Sequence, residues 1–440
     1  AGKGGGDCDV LVVGGGPAGT TTAVLLRERG WSVTVVEKDR HPRFHIGESL
    51  LPRNMTILRR LGVAEEVARM GVLKRGADFS GSTEAPAGDV THTVTFDFAK
   101  AKAPDEPAAF QVKRADFDHM LLRNAEAKGV DVREGETVED VTFDGADTDC
   151  DGGPGVTARV RDAAGATSEV RARFLVDASG RDTFMSKREG MKHRNPRHGS
   201  AAIFGHFTNV PRRPGDRDGN ISIYWFEHGW FWMIPLQGDV MSVGMVVWPK
   251  VLKQRDGSLE AFFHDGVARC APVAARMAAA EATAPIQATG NFSYTSDRMI
   301  GHRYLLVGDA FAFIDPVFSS GVYLAMQGAT FAAEAIDNAL REPGRAKAHL
   351  RRYDRRVRRG LKRFSWFIYR FTSPGMQALF MNPSDRFGLR AAVTSVLSGD
   401  VYGRTPLWAE LALFKVLYFG ASLLTWRRAA AYRRRLEGMS

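Results

Sequence analysis

The segment Val10-Leu-Val-Val-Gly-Gly-Gly-Pro-Ala-Gly19 constrains the fold more than any other part of this 440-residue chain. An apolar strand runs into a glycine turn, and the turn opens a helix. Gly14, Gly16 and Gly19 stand at the three positions of a G-x-G-x-x-G pattern. The first permits the tight turn, the second lets a pyrophosphate approach the backbone, and the third lets the helix pack on the strand. The helix N-terminus then faces the phosphates. Ser32-Val-Thr-Val-Val-Glu37 reads as a second strand, ending in an acid at the spacing that holds a ribose hydroxyl. A glycine pattern with its strand, helix and acid indicates a dinucleotide site. Its expected contacts are Gly14, Gly15, Gly16, Ala18, Gly19 and Glu37. The fold class is therefore α/β with a Rossmann-type domain.

Residues 230–235 read Trp-Phe-Trp-Met-Ile-Pro. Two indoles two residues apart share one face of a strand. Pro235, unable to donate to the ladder, is expected to end it. Alone, the pair reads as core. The chain also carries Lys74 within Gly71-Val-Leu-Lys-Arg-Gly-Ala-Asp-Phe79, and the run Phe313-Ile-Asp-Pro-Val-Phe-Ser-Ser-Gly321. Together with the glycine turn, these resemble the FAD-dependent halogenases, whose motifs read W-x-W-x-I-P and F-x-x-P-x-x-S-x-G. The resemblance spans roughly residues 7–405 and weakens in the last stretch.

The resemblance implies FAD. Gln111-Val-Lys-Arg114-Ala-Asp-Phe-Asp118 is similar to the family segment whose arginine meets the flavin. Phe174-Leu-Val-Asp177-Ala-Ser-Gly180-Arg181 and Leu305-Leu-Val-Gly308-Asp309-Ala310 match two further strand–turns. In the second, Asp309 would bind the ribityl chain. The loop His45-Ile-Gly-Glu48-Ser49-Leu matches a flavin-contact segment, and Glu48 carries over. The implied layout is p-hydroxybenzoate-hydroxylase-like. Residues 7–70, 110–190 and 285–340 form the FAD domain. Residues 71–109 and 191–284 form an antiparallel substrate sheet, and residues 341–440 a basic helical C-terminal region. No second nicotinamide fingerprint is visible, so reduced flavin is expected from a separate reductase, or from NAD(P)H acting only transiently.

Three further roles follow from the same resemblance. Trp230 and Trp232 would wall the substrate away from the flavin, a task that suits rigid indoles. Backbone N–H groups at Ser320 and Gly321 would hold chloride or bromide, with Val322 following at the flavin. Hypohalous acid would pass to Lys74, whose burial would lower its pKa and favour a nucleophilic amine. Without the resemblance, a lysine beside Arg75 reads as a surface residue and Ser-Ser-Gly as an ordinary turn.

Phe318 stands where tryptophan halogenases carry a glutamate. The sequence Pro-Val-Phe-Ser-Ser-Gly instead resembles the phenol and pyrrole class, many members of which act on carrier-tethered substrates. Phe79-Ser-Gly-Ser82 departs where many relatives continue with an aromatic. His206 or His228 could deprotonate a phenol, but a lone histidine is more often structural. Rival readings are a geranylgeranyl-reductase-like enzyme, an aromatic monooxygenase and a non-enzymatic FAD scaffold.

The net charge of +10 is unevenly placed. Residues 341–440 hold 21 Lys/Arg against 6 Asp/Glu, and the remainder 39 against 44. The run Arg351 to Arg359 is densest. An acidic carrier protein is the expected partner of such a surface, a membrane surface a weaker one, and nucleic acid the least expected. Trp408 to Trp426 is apolar and about as long as a span, but Glu410, Lys415 and Gly420 interrupt it, so a buried or interfacial helix is expected. Cys8, Cys150 and Cys270 show neither disulfide nor zinc spacing, which fits a reducing cytoplasm.

Overall fold

The computed structural model describes residues 7–81, 92–144, 155–195, 199–403, 405–427, 430–431 and 434. The stretch 144–155, whose Asp and Gly content reads as a hairpin loop, falls almost wholly outside them with Cys150, as does Ser82.

The strand Cys8–Val13 lies parallel between Thr167–Asp177 and Val33–Glu37. Tyr304–Leu306 and Asp131–Glu134 extend the parallel order on either side. Strands covered on both faces read as continuous apolar runs, and Val10 to Val13 are all buried. Helices Pro17–Arg27 and Ser320–Arg341 pack on each other over this sheet. Pro17 takes the first helical position, where its missing N–H costs nothing.

The second large sheet runs in the order Glu281–Ala282, Ser200–Thr208, Val240–Val247, Gly229–Leu236, Ile221–Phe226, Gly76–Gly81, Thr93–Asp97. It is antiparallel except where Ile221–Phe226 meets Gly76–Gly81. Gly229–Leu236 is central and wholly buried. Period two divides it between two cores. Trp230, Trp232 and Ile234 belong to the large core shared with the nucleotide half, while Phe231 and Met233 belong to a smaller one. Helices Leu259–Ala268 and Ala271–Arg276 close that smaller core through Phe263, Val267 and Val273.

Pro235 does not end its strand, which continues to Leu236. Pairing to Ile221–Phe226 stops at Met233, so Pro235 has a partner on one side only, at Met241. On a local edge the absent N–H breaks no ladder.

Val72–Lys74 pairs with Ala109–Gln111 as a separate two-stranded sheet, and Ser49 bridges to Gln111. This junction carries the chain from the nucleotide half into the second sheet at Gly76. The tail contributes Ala346–Ile368, Pro374–Met381, Leu389–Leu397 and Trp408–Leu424. In the first of these, Leu350, Tyr353, Val357, Gly360, Phe364 and Phe367 form the buried stripe, and the arginines take the other side. A Cβ on Gly360 would sit 2.3 Å from the Tyr402 ring, so only glycine lets that ring close on the helix. Among the described residues no helix is long and apolar enough to cross a membrane.

Candidate active site

A cleft of about 730 Å³ opens over the glycine turn. Gly14 has φ +106°, and a Cβ there would lie 2.4 Å from the Ala178 carbonyl oxygen. A Cβ on Gly19 would lie 1.9 Å from the Gly14 carbonyl oxygen. Gly16 is different. A Cβ there would meet only the Arg43 guanidinium, at 3.9 Å, so its backbone faces open space. Glu37 closes the far side. Its Oε2 accepts the Gly15 N–H at 2.6 Å and its Oε1 the Asp39 N–H at 2.9 Å. Gly14, Gly16, Ala18, Glu37, Arg114, Asp309, Gly321 and Val322 line the cleft; Gly15 and Gly19 lie behind it.

A second cavity of about 100 Å³ continues from the first. His45, Arg114, Arg181, Asp309, Gly321 and Val322 line both. Its far wall is Trp230, Trp232 and Ile234, and its near wall Glu48 and Ser49. The two indoles are 5.9 Å apart between ring centroids. The Trp232 Nε1–H donates to Ser242 Oγ at 3.2 Å. Trp232 lies over Gly244 of the next strand, where a Cβ would come within 2.1 Å of its ring. Phe371 of the tail meets the Trp230 edge at 6.4 Å.

Arg114 fixes the loop between the cavities. Its guanidinium donates to both Asp118 oxygens, at 2.7 and 2.8 Å, and to the Ile46 carbonyl at 2.8 Å. Asp309 faces the place where the cavities join. Burial pushes its carboxyl up to about 6, against Arg181 and Arg114, which favour the charged form.

Lys74 is only 1% exposed, which excludes the surface reading. Burial lowers its amine to about 7. Nζ donates to Ser49 Oγ at 2.8 Å and to the Leu50 carbonyl at 3.0 Å. Lys74 lines neither cavity. Ser49 stands between its amine and the tryptophan cavity.

Ser319 takes a left-handed conformation, φ +55°, and turns the chain into Ser320–Arg341. The N–H groups of Ser320 and Gly321 thus belong to the free first turn of a 22-residue helix, a place that favours anions. Gly321 lines both cavities; Ser320 is buried behind them. Asp315 braces the approach to this turn. It accepts the Val317 N–H and the Ser200 hydroxyl, each at 3.1 Å, and burial lifts its carboxyl to about 6.

Two expectations are refined by position. Glu48 lines the small cavity rather than the large cleft, and its Oε1 lies 2.8 Å from His206 Nε2. His206 therefore reaches the site through a carboxylate, whereas His228 pairs with Glu227 in a hairpin turn. Period two could have found His206. It shares a strand face with Ala202 and Phe204, and Phe204 packs at 6.1 Å on Trp232. Phe318 is spent on packing, stacked at 6.0 Å on Phe380. Ser49 and Arg181 were visible in the sequence only as neighbours of motif residues.

These residues fit FAD. They offer a glycine turn open at Gly16, a helix N-terminus, a ribose-side acid, and a junction lined by Arg114 and Asp309. A family model described as FAD binding domain matches residues 7–364. The chain is 29% identical to a 1H-pyrrole-2-carbonyl-(peptidyl-carrier protein) chlorinase of Pseudomonas fluorescens, over 90% of each chain. It is 34% identical to a 1H-pyrrole-2-carbonyl-(peptidyl-carrier protein) brominase of Pseudoalteromonas luteoviolacea, over 76% of this chain and 78% of that one. Among solved structures it resembles the myxobacterial chondrochloren halogenase CndH, an FAD-dependent halogenase, with TM-score 0.76 and 35% identity over 91% of this chain and 92% of the other.

Proposed function

This chain belongs to the FAD-dependent halogenases, and on that premise we propose that it halogenates an electron-rich aromatic, a pyrrole or phenol, held on an acidic carrier protein. The observation that carries the reading is the small cavity between cleft and indole pair. It has room for a small oxidant at one end of a cleft sized for the cofactor. The two carrier-protein halogenases among the relatives support the substrate class. They do not favour the reductase or monooxygenase readings.

Bound and reduced, FAD supplies with oxygen the oxidation of chloride or bromide to hypohalous acid. The chain's own residues do the rest. Arg114 would meet the flavin and Asp309 hold its ribityl chain. The free N–H groups at Ser320 and Gly321 hold the halide beside Val322. Trp230 and Trp232 exclude the aromatic substrate and bulk water from the cleft.

The buried neutral amine of Lys74 takes the halogen: an N–halogen bond forms, the oxygen–halogen bond breaks, and water leaves. The aromatic carbon then takes the halogen from nitrogen. The ring gives up its proton as the carbon–halogen bond forms, and the amine nitrogen regains one. Ser49 Oγ is the group through which Lys74 meets the cavity.

The carrier is placed on the exposed arginines of Ala346–Ile368. Arg355, exposed and outside any ion pair among the described residues, is a cation to test. Arg358 is engaged with Asp354, the Asp297 carbonyl and the Phe311 ring. A separate reductase supplies the reduced flavin, since the sequence carries one dinucleotide fingerprint. The buried free cysteines Cys8 and Cys270 fit a reducing cytoplasm.

The test is a mass-spectrometric assay with a flavin reductase, NADH, oxygen and chloride or bromide, on pyrroles and phenols both free and carrier-loaded. A halide-dependent mass gain that disappears in Lys74→Ala is expected. A halide-independent oxygen insertion would overturn the reading.

A further inference from the structure

The helix Trp408–Leu424 is apolar on two opposite faces, and the molecule covers only one. Phe414 is buried against Trp366 and Phe367, and Tyr418 packs on the same Trp366. On the other side Trp408, Ala412, Val416, Phe419, Leu423 and, just past the helix, Trp426 recur at spacings of three and four. At 100° per residue the five within the helix fall within an arc of about 80°. All six are exposed, Trp408 by 78%, Leu423 by 73% and Trp426 by 57%. Seven of the nine exposed large hydrophobic side chains among the described residues lie between Trp408 and Trp426.

Cations border the stripe. Lys415 flanks one edge, Arg427 follows the helix, and the sequence continues through Arg428 and Arg433 to Arg435 without an acid until Glu437. The helix's one acid, Glu410, is paired with Lys102.

We infer that this stripe is a docking surface for an anionic lipid membrane, on which the helix lies flat without crossing. An apolar arc bordered by Lys and Arg, with tryptophans at both ends, matches interfacial helices. The helix is too short and too interrupted to span. Two alternatives fit less well. A second copy would press two tails together, each with 21 Lys/Arg against 6 Asp/Glu. A carrier must deliver its substrate to a cavity, and no residue of this helix lines either one. The inference stands apart from the halogenation chemistry.

Sedimentation of the FAD-loaded full chain with vesicles tests it. Binding to mixed phosphatidylcholine–phosphatidylserine vesicles is expected to exceed binding to phosphatidylcholine alone by at least about tenfold, and to fall with salt. Val416→Glu with Leu423→Glu should abolish sedimentation while melting temperature and turnover of a free aromatic stay unchanged. Should that pair perturb folding, Arg427→Glu should still weaken binding. No binding to either vesicle overturns the inference. So does a concentration-dependent dimer that the glutamates dissociate, or carrier-protein binding that they abolish.

Discussion

Two tryptophan pairs mark opposite ends of this molecule's physics. Trp230 and Trp232 are two residues apart on a strand, each 4% exposed, with Phe204, Phe371 and each other as neighbours. Trp408 and Trp426 are eighteen apart, one opening the last helix and one just past its end, and stand largely in solvent. The strand pair follows a period of two, and the exposed stripe that starts at Trp408 follows 3.6. Period places side chains on one face; it does not say whether that face is covered. A covered indole pair becomes a wall with fixed geometry, whereas an open one is a surface awaiting a partner.

Truncation should separate the pairs most sharply. Trp230→Ala is expected to cost about 3–5 kcal/mol in chemical denaturation, and Trp408→Ala within about 0.5 kcal/mol. Equal effects would mean that the wall is not packed as described. In the same Trp230 variant, halide-dependent oxidant should escape to a thiol trap in solution.

The next largest effect belongs to the amine near the wall. Lys74→Met should lower halogenation by at least about a hundredfold, while stability changes little, because the lost hydrogen bonds are offset by relief of a buried amine. Its pH dependence has a fixed sign. The folded pKa is depressed to about 7 from 10.5, so the unfolded chain binds more protons between those values. Stability contributed at this site therefore rises with pH across that window. The rate limb due to the neutral amine rises through about pH 7. Both slopes should vanish in Lys74→Met when stability and residual turnover are followed from pH 6 to 10, whereas Lys415→Met at the edge of the tail stripe should leave both intact.

Gly244→Ala sharpens the comparison with one methyl group. It forces Trp232 off its place and should cost about 1–3 kcal/mol by thermal melting, with a change in product regiochemistry or yield. Gly420→Ala, where a Cβ meets nothing within 4 Å, should be neutral or stabilising. The smallest effect is expected at the basic helix. Arg355→Glu should raise KM for a carrier-bound substrate severalfold at low salt and leave a free substrate unaffected. Unchanged kinetics at low salt would remove that helix as the docking site.

Much of the nucleotide half was legible because its chemistry is local. The glycines, the strand before them and Glu37 lie within thirty residues, and each has a steric reason that the sequence displays. The indole pair was legible for the same reason. The small cavity was not, because it is assembled from residues near 48, 114, 181, 232, 309 and 321, which only the crossing of two sheets brings together. Pro235 could not be placed correctly from its own chemistry, since its tolerance depends on where a neighbouring strand stops.

By itself, then, the sequence determined a dinucleotide fold, a paired-indole strand and a basic tail, because backbone sterics, side-chain period and charge are properties of neighbours along the chain. Tertiary structure alone decided that Lys74 is buried behind Ser49, that His206 reaches Glu48, and that one face of Trp408–Leu424 stays open. Burial and desolvation are set by what packs from elsewhere, and those partners lie tens to hundreds of residues away.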